Sequence, residues 1–154
     1  MPAPTAQIPG PLHMFTGHDV PWLLEARAAN RGEHTFLIFA PFYAPAERWS
    51  YARFAAAVER VAAGLRARGV AQGDFVLLHM DNCPEFLLAW HACARLGAVV
   101  VTTNTRSAED ELNYFADHCG ARVAITQPKY EALIHAAAPQ MNWVAVTALD
   151  TGAE

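Results

Sequence analysis

The chain has 154 residues, of which 53% are hydrophobic and 17% charged, and its formal net charge is −4. This length allows one domain with a real core, and the composition excludes an intrinsically disordered chain. The arginines are scattered along the sequence, so we expect no nucleic-acid partner. The longest apolar runs are too short to cross a membrane, and the N-terminus lacks the pattern of a signal peptide.

Cysteine usage is that of a reducing compartment. Cys83, Cys93 and Cys119 are widely spaced and form no C-x-x-C pair, which argues against a zinc ribbon or a redox pair. We expect reduced, mostly buried thiols and a cytoplasmic location.

The N-terminal residues are rich in proline, and we expect residues 1–18 to form an extended tail. Residues 19–154 are expected to form one α/β subdomain. Asp19 is a suitable N-cap and Pro21 fits the first turn of a helix, which predicts a helix to about Asn30.

The next segment predicts a strand, a loop and a long helix. Thr35–Phe39 has the composition of a β-strand, and two prolines make Ala40–Arg48 a loop. Trp49–Ser50 is expected to end a short strand and cap the following helix. That helix has one apolar face and ends at Gly69; the face consists of Phe54, Val58, Val61, Ala62 and Leu65.

Strands and helices then alternate to the end of the chain. The predicted strands are Phe75–Leu78, Ala98–Val101, Val123–Thr126 and Trp143–Thr147. The intervening helices cover Pro84–Leu96, a segment that ends at Gly120, and 128–138. The middle helix begins near Ser107, which fits a capping box loosely. This alternation predicts an α/β fold with a parallel β-sheet and helices on both faces.

Phosphate-binding and metal-binding motifs are missing from the sequence. The nine glycines form neither G-x-G-x-x-G nor G-x-x-x-x-G-K-[ST], and no histidine pair has the spacing of a metal site. His79 follows a predicted strand, where a hydrogen-bonded structural role is favoured over catalysis. Asp81 and Glu85 could be an acid–base pair, but complementing the positive end of a helix is favoured. We assign no catalytic and no metal-binding residue.

The loop 102–106 is the best candidate for a ligand contact. It follows a buried strand and precedes a helix, and in α/β proteins ligands bind at that end of a strand. Arg106 supplies a cation suited to phosphate. For Asn104, bracing of the turn and a weak ligand contact both remain open.

Four segments occur in order between Trp49 and Thr126. They are Trp49-Ser50-Tyr51 with Phe54, Gly69-Val70-x-x-Gly73-Asp74, Asn82-x-x-Glu85, and Leu96-Gly97-Ala98-Val99-Val100-Val101 followed by Asn104. Together they resemble the N-terminal part of the adenylate-forming superfamily (AMP-dependent synthetases and ligases), which includes acyl-CoA synthetases and luciferases. The chain departs from the family pattern at Phe75 (usually Arg) and at three threonines, Thr102, Thr103 and Thr105, which replace Pro, Leu and Pro.

The resemblance implies an ATP-dependent acyl-CoA synthetase, which joins a carboxylate to coenzyme A through an acyl-adenylate. ATP, Mg and coenzyme A would serve the parent enzyme, whose phosphate loop and catalytic lysine lie further along than residue 154. The chain would then be a truncated scaffold that alone binds no cofactor and is inactive. Its partner would be the rest of the ligase or a separate C-terminal piece, and a homo-oligomer is open. Arg106 matches a residue that contacts coenzyme A in some acyl-CoA synthetases.

Two other functions stay open. The chain could be a stand-alone α/β module that binds coenzyme A or a nucleotide at Thr102–Arg106. It could also be a structural partner of a separately encoded C-terminal piece.

Overall fold

The computed structural model describes residues 18–152. Five helices and six strands follow one another in the described part: α1 Val20–Arg31, β1 Thr35–Phe39, β2 Glu47–Ser50, α2 Tyr51–Ala67, β3 Phe75–His79, α3 Pro84–Leu96, β4 Val99–Thr102, α4 Glu109–Cys119, β5 Val123–Thr126, α5 Pro128–Ala137 and β6 Trp143–Val146. The predicted tail, residues 1–18, lies outside the described residues except for His18. No helix among residues 18–152 has the length and apolar character needed to cross a membrane.

The last four predicted strands form one parallel sheet in the order β4-β3-β5-β6. Side chains alternate between its faces along β3. Val76 and Leu78 pack in a core cluster with residues of α2 and α3, whereas Leu77 packs in a second cluster with Leu112 of α4 and Ile134 of α5. Helices therefore cover both faces, and the predicted α/β fold is confirmed.

β1 and β2 form a separate antiparallel sheet of two strands. The predicted loop 40–48 was too long at its end, because β2 already begins at Glu47, which pairs with Phe39. Arg53 fixes this start of the strand: its guanidinium donates to the Glu47 carboxylate at 2.6 Å and to the Arg48 carbonyl at 2.7 Å.

Two of the three predicted helix caps are confirmed. Asp19 accepts a hydrogen bond from the Trp22 N–H at 2.8 Å, and Ser50 accepts one from the Arg53 N–H at 3.2 Å. The prediction for α4 was wrong by one residue, because its N-cap is Ala108. The Ala108 N–H donates to the Glu111 carboxylate at 2.9 Å, so the glutamate alone supplies the cap.

The strand order places two crevices at the carboxyl edge of the sheet. β3 lies between β4 and β5. From β3 the chain crosses to β4 on one side and then back past β3 to β5 on the other, so its direction of winding reverses between β3 and β5. In doubly wound sheets this switch point, here the carboxyl ends of β3 and β5, is where ligands bind. The second crevice lies between the ends of β3 and β4.

Candidate functional site

An open groove of about 530 Å³ lies where β3 and β4 end. We call it the β3–β4 groove. Its lining residues come from the two loops and from the first turns of α3: Met80, Asp81, Asn82, Phe86, Thr102, Thr103, Asn104 and Thr105. The groove therefore offers mainly hydroxyl and amide groups, which bind by hydrogen bonding rather than by charge.

The loop after β4 contains both residues singled out as ligand contacts. The Asn104 side-chain oxygen accepts a hydrogen bond from the Arg106 N–H, and the Asn104 carbonyl accepts one from the Ser107 N–H, each at 2.9 Å. Asn104 lines the groove, and Arg106 is exposed in the next turn. No carboxylate among residues 18–152 forms a salt bridge with Arg106. The ligand contacts of both residues stay predictions.

His79 is fully buried at the end of β3. Its Nδ1 lies 2.8 Å from the Thr103 hydroxyl, and its ring meets the Tyr130 ring nearly edge-on at 4.8 Å. Within the described part of the chain, Nε2 has no hydrogen-bond partner. Burial lowers the pKa of His79, and the nearby Asp81 carboxylate opposes this only in part. This buried histidine links the end of β3 to the loop after β4, which is consistent with the expected structural role, although only one ring nitrogen is hydrogen-bonded.

Asp81 and Glu85 are held apart by different partners. The Asp81 carboxylate forms an ion pair with Lys129 at 2.6 Å and accepts a hydrogen bond from the Tyr130 hydroxyl at 2.9 Å. Glu85, in the first turn of α3, accepts one from the Thr151 hydroxyl at 2.9 Å. The two carboxylates share no hydrogen-bond partner, which argues against an acid–base pair.

The hydroxyl and thiol groups near the groove are poor nucleophiles. Burial raises the pKa of Tyr130, and its hydrogen bond to Asp81 adds to this. Burial also raises the pKa of the Cys83 and Cys93 thiols to about 11, so both are protonated near neutral pH. Among residues 18–152 no group of three or more His, Cys, Asp or Glu could hold a metal ion.

Residues that sequence reasoning missed lie beyond β5. Gln127 is fully buried, and its side-chain oxygen accepts the Asp81 N–H at 2.8 Å. Lys129 and Tyr130 follow in the first turn of α5 and bind Asp81. The sequence contained a signal for them. Gln127 directly follows β5 and Asp81 lies in the loop after β3. Because parallel strands end at the same edge of a sheet, these two residues could have been expected to lie close together.

This arrangement is that of a doubly wound α/β protein with a polar groove at the carboxyl edge of its sheet. The profile of a family described as "AMP-binding enzyme" matches residues 24–153. The chain belongs to this family, and the predicted resemblance to adenylate-forming enzymes is confirmed.

Two curated relatives are CoA ligases. The crotonobetaine/carnitine–CoA ligase of Proteus mirabilis (strain HI4320) is 35% identical over 105 residues, which are 66% of this chain and 20% of the relative. The 4-coumarate–CoA ligase 3 of Oryza sativa subsp. japonica is 42% identical over 81 residues, 53% of this chain and 15% of the relative. The chain spans about a fifth of the length of the curated relatives it matches.

Solved structures with the same fold also come from this group. The N-terminal domain of FACL13 from Mycobacterium tuberculosis has a TM-score of 0.74 and 28% identity, covering 82% of this chain and 33% of that one. The anthranilate CoA ligase AuaEII, solved in complex with anthranoyl-AMP, has a TM-score of 0.73 and 25% identity, covering 82% of this chain and 24% of that one. The described fold is thus that of the N-terminal part of such ligases.

Proposed function

We propose that the chain is the N-terminal scaffold of an ATP-dependent acyl-CoA synthetase. The whole enzyme would convert a carboxylate, ATP and coenzyme A into acyl-CoA, AMP and diphosphate through an acyl-adenylate. In it, residues 19–154 would form one subdomain that supports a wall of the active-site cleft. The observation that carries this proposal is the family match over residues 24–153, together with relatives that are CoA ligases.

The groups on the chain agree with a supporting role. Its glycines form no phosphate-binding loop. The carboxylate nearest the groove, Asp81, is neutralised by Lys129. The residues present therefore do not fit ATP with its magnesium ion, and no chemical step is assigned to them. Coenzyme A is different, because the hydroxyl-lined groove and the exposed Arg106 suit a phosphate-bearing ligand.

The test of the scaffold role uses a chimera. Residues 19–152 would replace the matching segment of the Proteus crotonobetaine/carnitine–CoA ligase, and diphosphate release would be measured with ATP and that enzyme's carboxylate substrates. We expect the chimera to be active and the purified 154-residue chain to be inactive on a panel of carboxylic acids. Turnover by the chain alone contradicts the scaffold role. A folded but inactive chimera argues against the shared architecture.

A second candidate is a stand-alone module that binds coenzyme A or a nucleotide. The exposed Arg106 beside the β3–β4 groove favours it. Titration calorimetry of the 154-residue chain with coenzyme A would compare the wild type with Arg106→Ala. The matched control is Arg122→Ala, which removes an exposed arginine at the other end of the sheet. Binding lost only in Arg106→Ala supports the module, whereas no binding, or equal binding by all three, removes it.

A third candidate is a structural partner of a separately encoded C-terminal piece. Exposed apolar side chains at the tip of the β1–β2 hairpin, Phe42 and Tyr43, favour a covered surface there. Gel filtration and light scattering separate this from a self-sufficient monomer, and they also test the open question of a homo-oligomer. We further propose a cytoplasmic location, which the three free cysteines support.

A further inference from the structure

The switch-point crevice between β3 and β5 is occupied by the chain itself. Residues 147–152, which we call the strap, follow β6 and run across the carboxyl edge of the sheet. The Thr147 N–H donates to the Thr126 carbonyl at 3.0 Å, where the strap begins. Further along, the Asp150 carboxylate accepts the Lys129 N–H at 3.0 Å and the Thr151 hydroxyl donates to Glu85 at 2.9 Å. The strap is thereby tied to the first turns of both α3 and α5.

Gln127 holds the strap from beneath. Its side chain is fully buried, and both ends of its amide are used. The oxygen accepts the Asp81 N–H at 2.8 Å, and the nitrogen donates to the Thr151 carbonyl. A buried amide with both ends bonded is costly to disturb, because either partner would be left without a hydrogen bond away from water.

The strap also completes helix α5. Gln127 is the N-cap residue of this helix, but its side chain makes no capping hydrogen bond because it is committed to Asp81 and Thr151. Asp150 caps the Lys129 N–H in its place, from 21 residues further along the chain. A carboxylate at a helix N-terminus is favourable in itself, so the strap and α5 stabilise each other.

The end of the strap touches the open groove. Gly152 has φ +156°, a backbone conformation that other residues rarely adopt, and a Cβ there would lie 2.5 Å from the Asp81 Cβ. Asp81 also lines the β3–β4 groove. The strap therefore closes one crevice and forms part of the boundary of the other.

We propose that Gln127 is a positioning residue that holds the strap in the switch-point crevice as an internal occupant. The crevice that the topology favours for ligands is thereby closed, and the β3–β4 groove is left as the open one. This inference does not depend on the proposed function, since it concerns only contacts within residues 79–152.

The test measures the order of the strap in the ¹⁵N-labelled 154-residue chain. The backbone heteronuclear NOE of residues 148–152 reports motion on the ps–ns timescale. We expect values like those of β6 in the wild type and values near those of a free terminus in Gln127→Met, which lacks both hydrogen-bonding groups. The control, Gln140→Met, removes an amide that binds Asp117 on the surface and should leave the strap unchanged. A strap as rigid in Gln127→Met as in the wild type overturns the proposal.

A milder variant and a chemical probe cover the case in which Gln127→Met does not fold. Gln127→Asn keeps the amide but is too short to reach both partners. Cys83 is the buried N-cap residue of α3, two residues before Glu85, to which the strap binds, whereas Cys93 is buried in the core near the other end of α3. Release of the strap should speed thiol labelling of Cys83 about tenfold or more and leave Cys93 unchanged. Equal acceleration of both thiols, or of neither, contradicts the proposal.

Discussion

The two crevices at the carboxyl edge of this sheet share β3, yet they differ in what they hold. Between β3 and β5, the Gln127 amide binds the Asp81 N–H and the Thr151 carbonyl of the strap, and the Asp81 carboxylate pairs with Lys129. Between β3 and β4, the loops present hydroxyl and amide groups to an open groove of about 530 Å³. Topology favours the first crevice for a ligand, but the local supply of hydrogen-bonding partners within the chain closes it and leaves the second one open.

Pairing within the chain explains the difference. At the β3–β5 crevice the half-buried Asp81 pairs with Lys129, which is exposed at the start of α5. Most polar groups there already bind other parts of the chain, which leaves little capacity for a ligand. The threonines of the β3–β4 groove carry no charge. Thr103 binds His79 and Thr102 is exposed, so this groove can stay open to solvent.

The largest expected effect comes from the strand that both crevices share. Leu77 is fully buried in β3, between Val101 and Ala124 of the neighbouring strands. Leu77→Ala should lower the free energy of unfolding by about 2–5 kcal/mol, because it leaves a cavity in the second core cluster. Urea unfolding followed by tryptophan fluorescence measures this. The control is Val99→Ala at the exposed end of β4. If Leu77→Ala lost no more stability than this control, β3 would not be the strand on which the stability of both crevices depends.

A smaller loss is expected when only the closed crevice is damaged. Gln127→Met removes two partly buried hydrogen bonds and leaves the Asp81 N–H unpaired, which should cost about 1–3 kcal/mol in urea unfolding. Gln140→Met, which breaks one bond to Asp117 near the surface, should cost about 1 kcal/mol or less. Equal losses in the two variants would show that the closed crevice has no special stability.

His79 should make stability depend on pH. Burial lowers its pKa in the folded state, so the unfolded chain binds the proton more readily. The contribution of neutral His79 to the free energy of unfolding is fully present above its pKa in the unfolded chain, about 6.5. This contribution is lost as the pH falls from there toward the lowered pKa of the folded state. The loss is at most about 1.4 kcal/mol per pH unit.

Unfolding midpoints in urea between pH 7.5 and pH 5 measure this dependence. In His79→Asn, which retains a group able to bind Thr103, the slope between these pH values should be shallower than in the wild type. An unchanged slope would assign the pH dependence to other groups.

The smallest effect is expected in the open groove. Asn104→Ala removes the exposed bond to the Arg106 N–H and should cost about 0.5 kcal/mol. Arg106→Ala should change stability by no more than about 0.5 kcal/mol, as for most surface substitutions. Both values come from the same urea experiment. If Asn104→Ala proved costlier than Gln127→Met, the contrast between an open and a closed crevice would be reversed.

Much of the fold could be predicted because its signals are local. Apolar runs of four or five residues marked the strands of the parallel sheet, and the capping side chains of Asp19 and Ser50 marked helix starts. The cap of α4 was misplaced because Ser107 and Asp110 have the spacing of a capping box, whereas in the structure Glu111 binds the N–H of the next residue, Ala108. The pairing of β1 with β2 outside the main sheet has no local signal.

The candidate site was predicted only where it is continuous in sequence. The loop 102–106 was found because strand, loop and helix follow directly. Gln127 was missed because its partners, Asp81 and Thr151, lie 46 residues before it and 24 residues after it. No spacing rule joins three such positions until the strands are placed side by side.

The sequence by itself determined the class of fold and the family, because periodicity, glycine stops and short motifs are properties of neighbouring residues. Only the tertiary structure decided which crevice is open. That outcome depends on whether buried polar groups from separate loops satisfy one another. At the end of β5 the Gln127 amide and the strap do so, beside the Asp81–Lys129 pair. At the end of β4 Thr103 binds His79, and the other lining groups face an open groove.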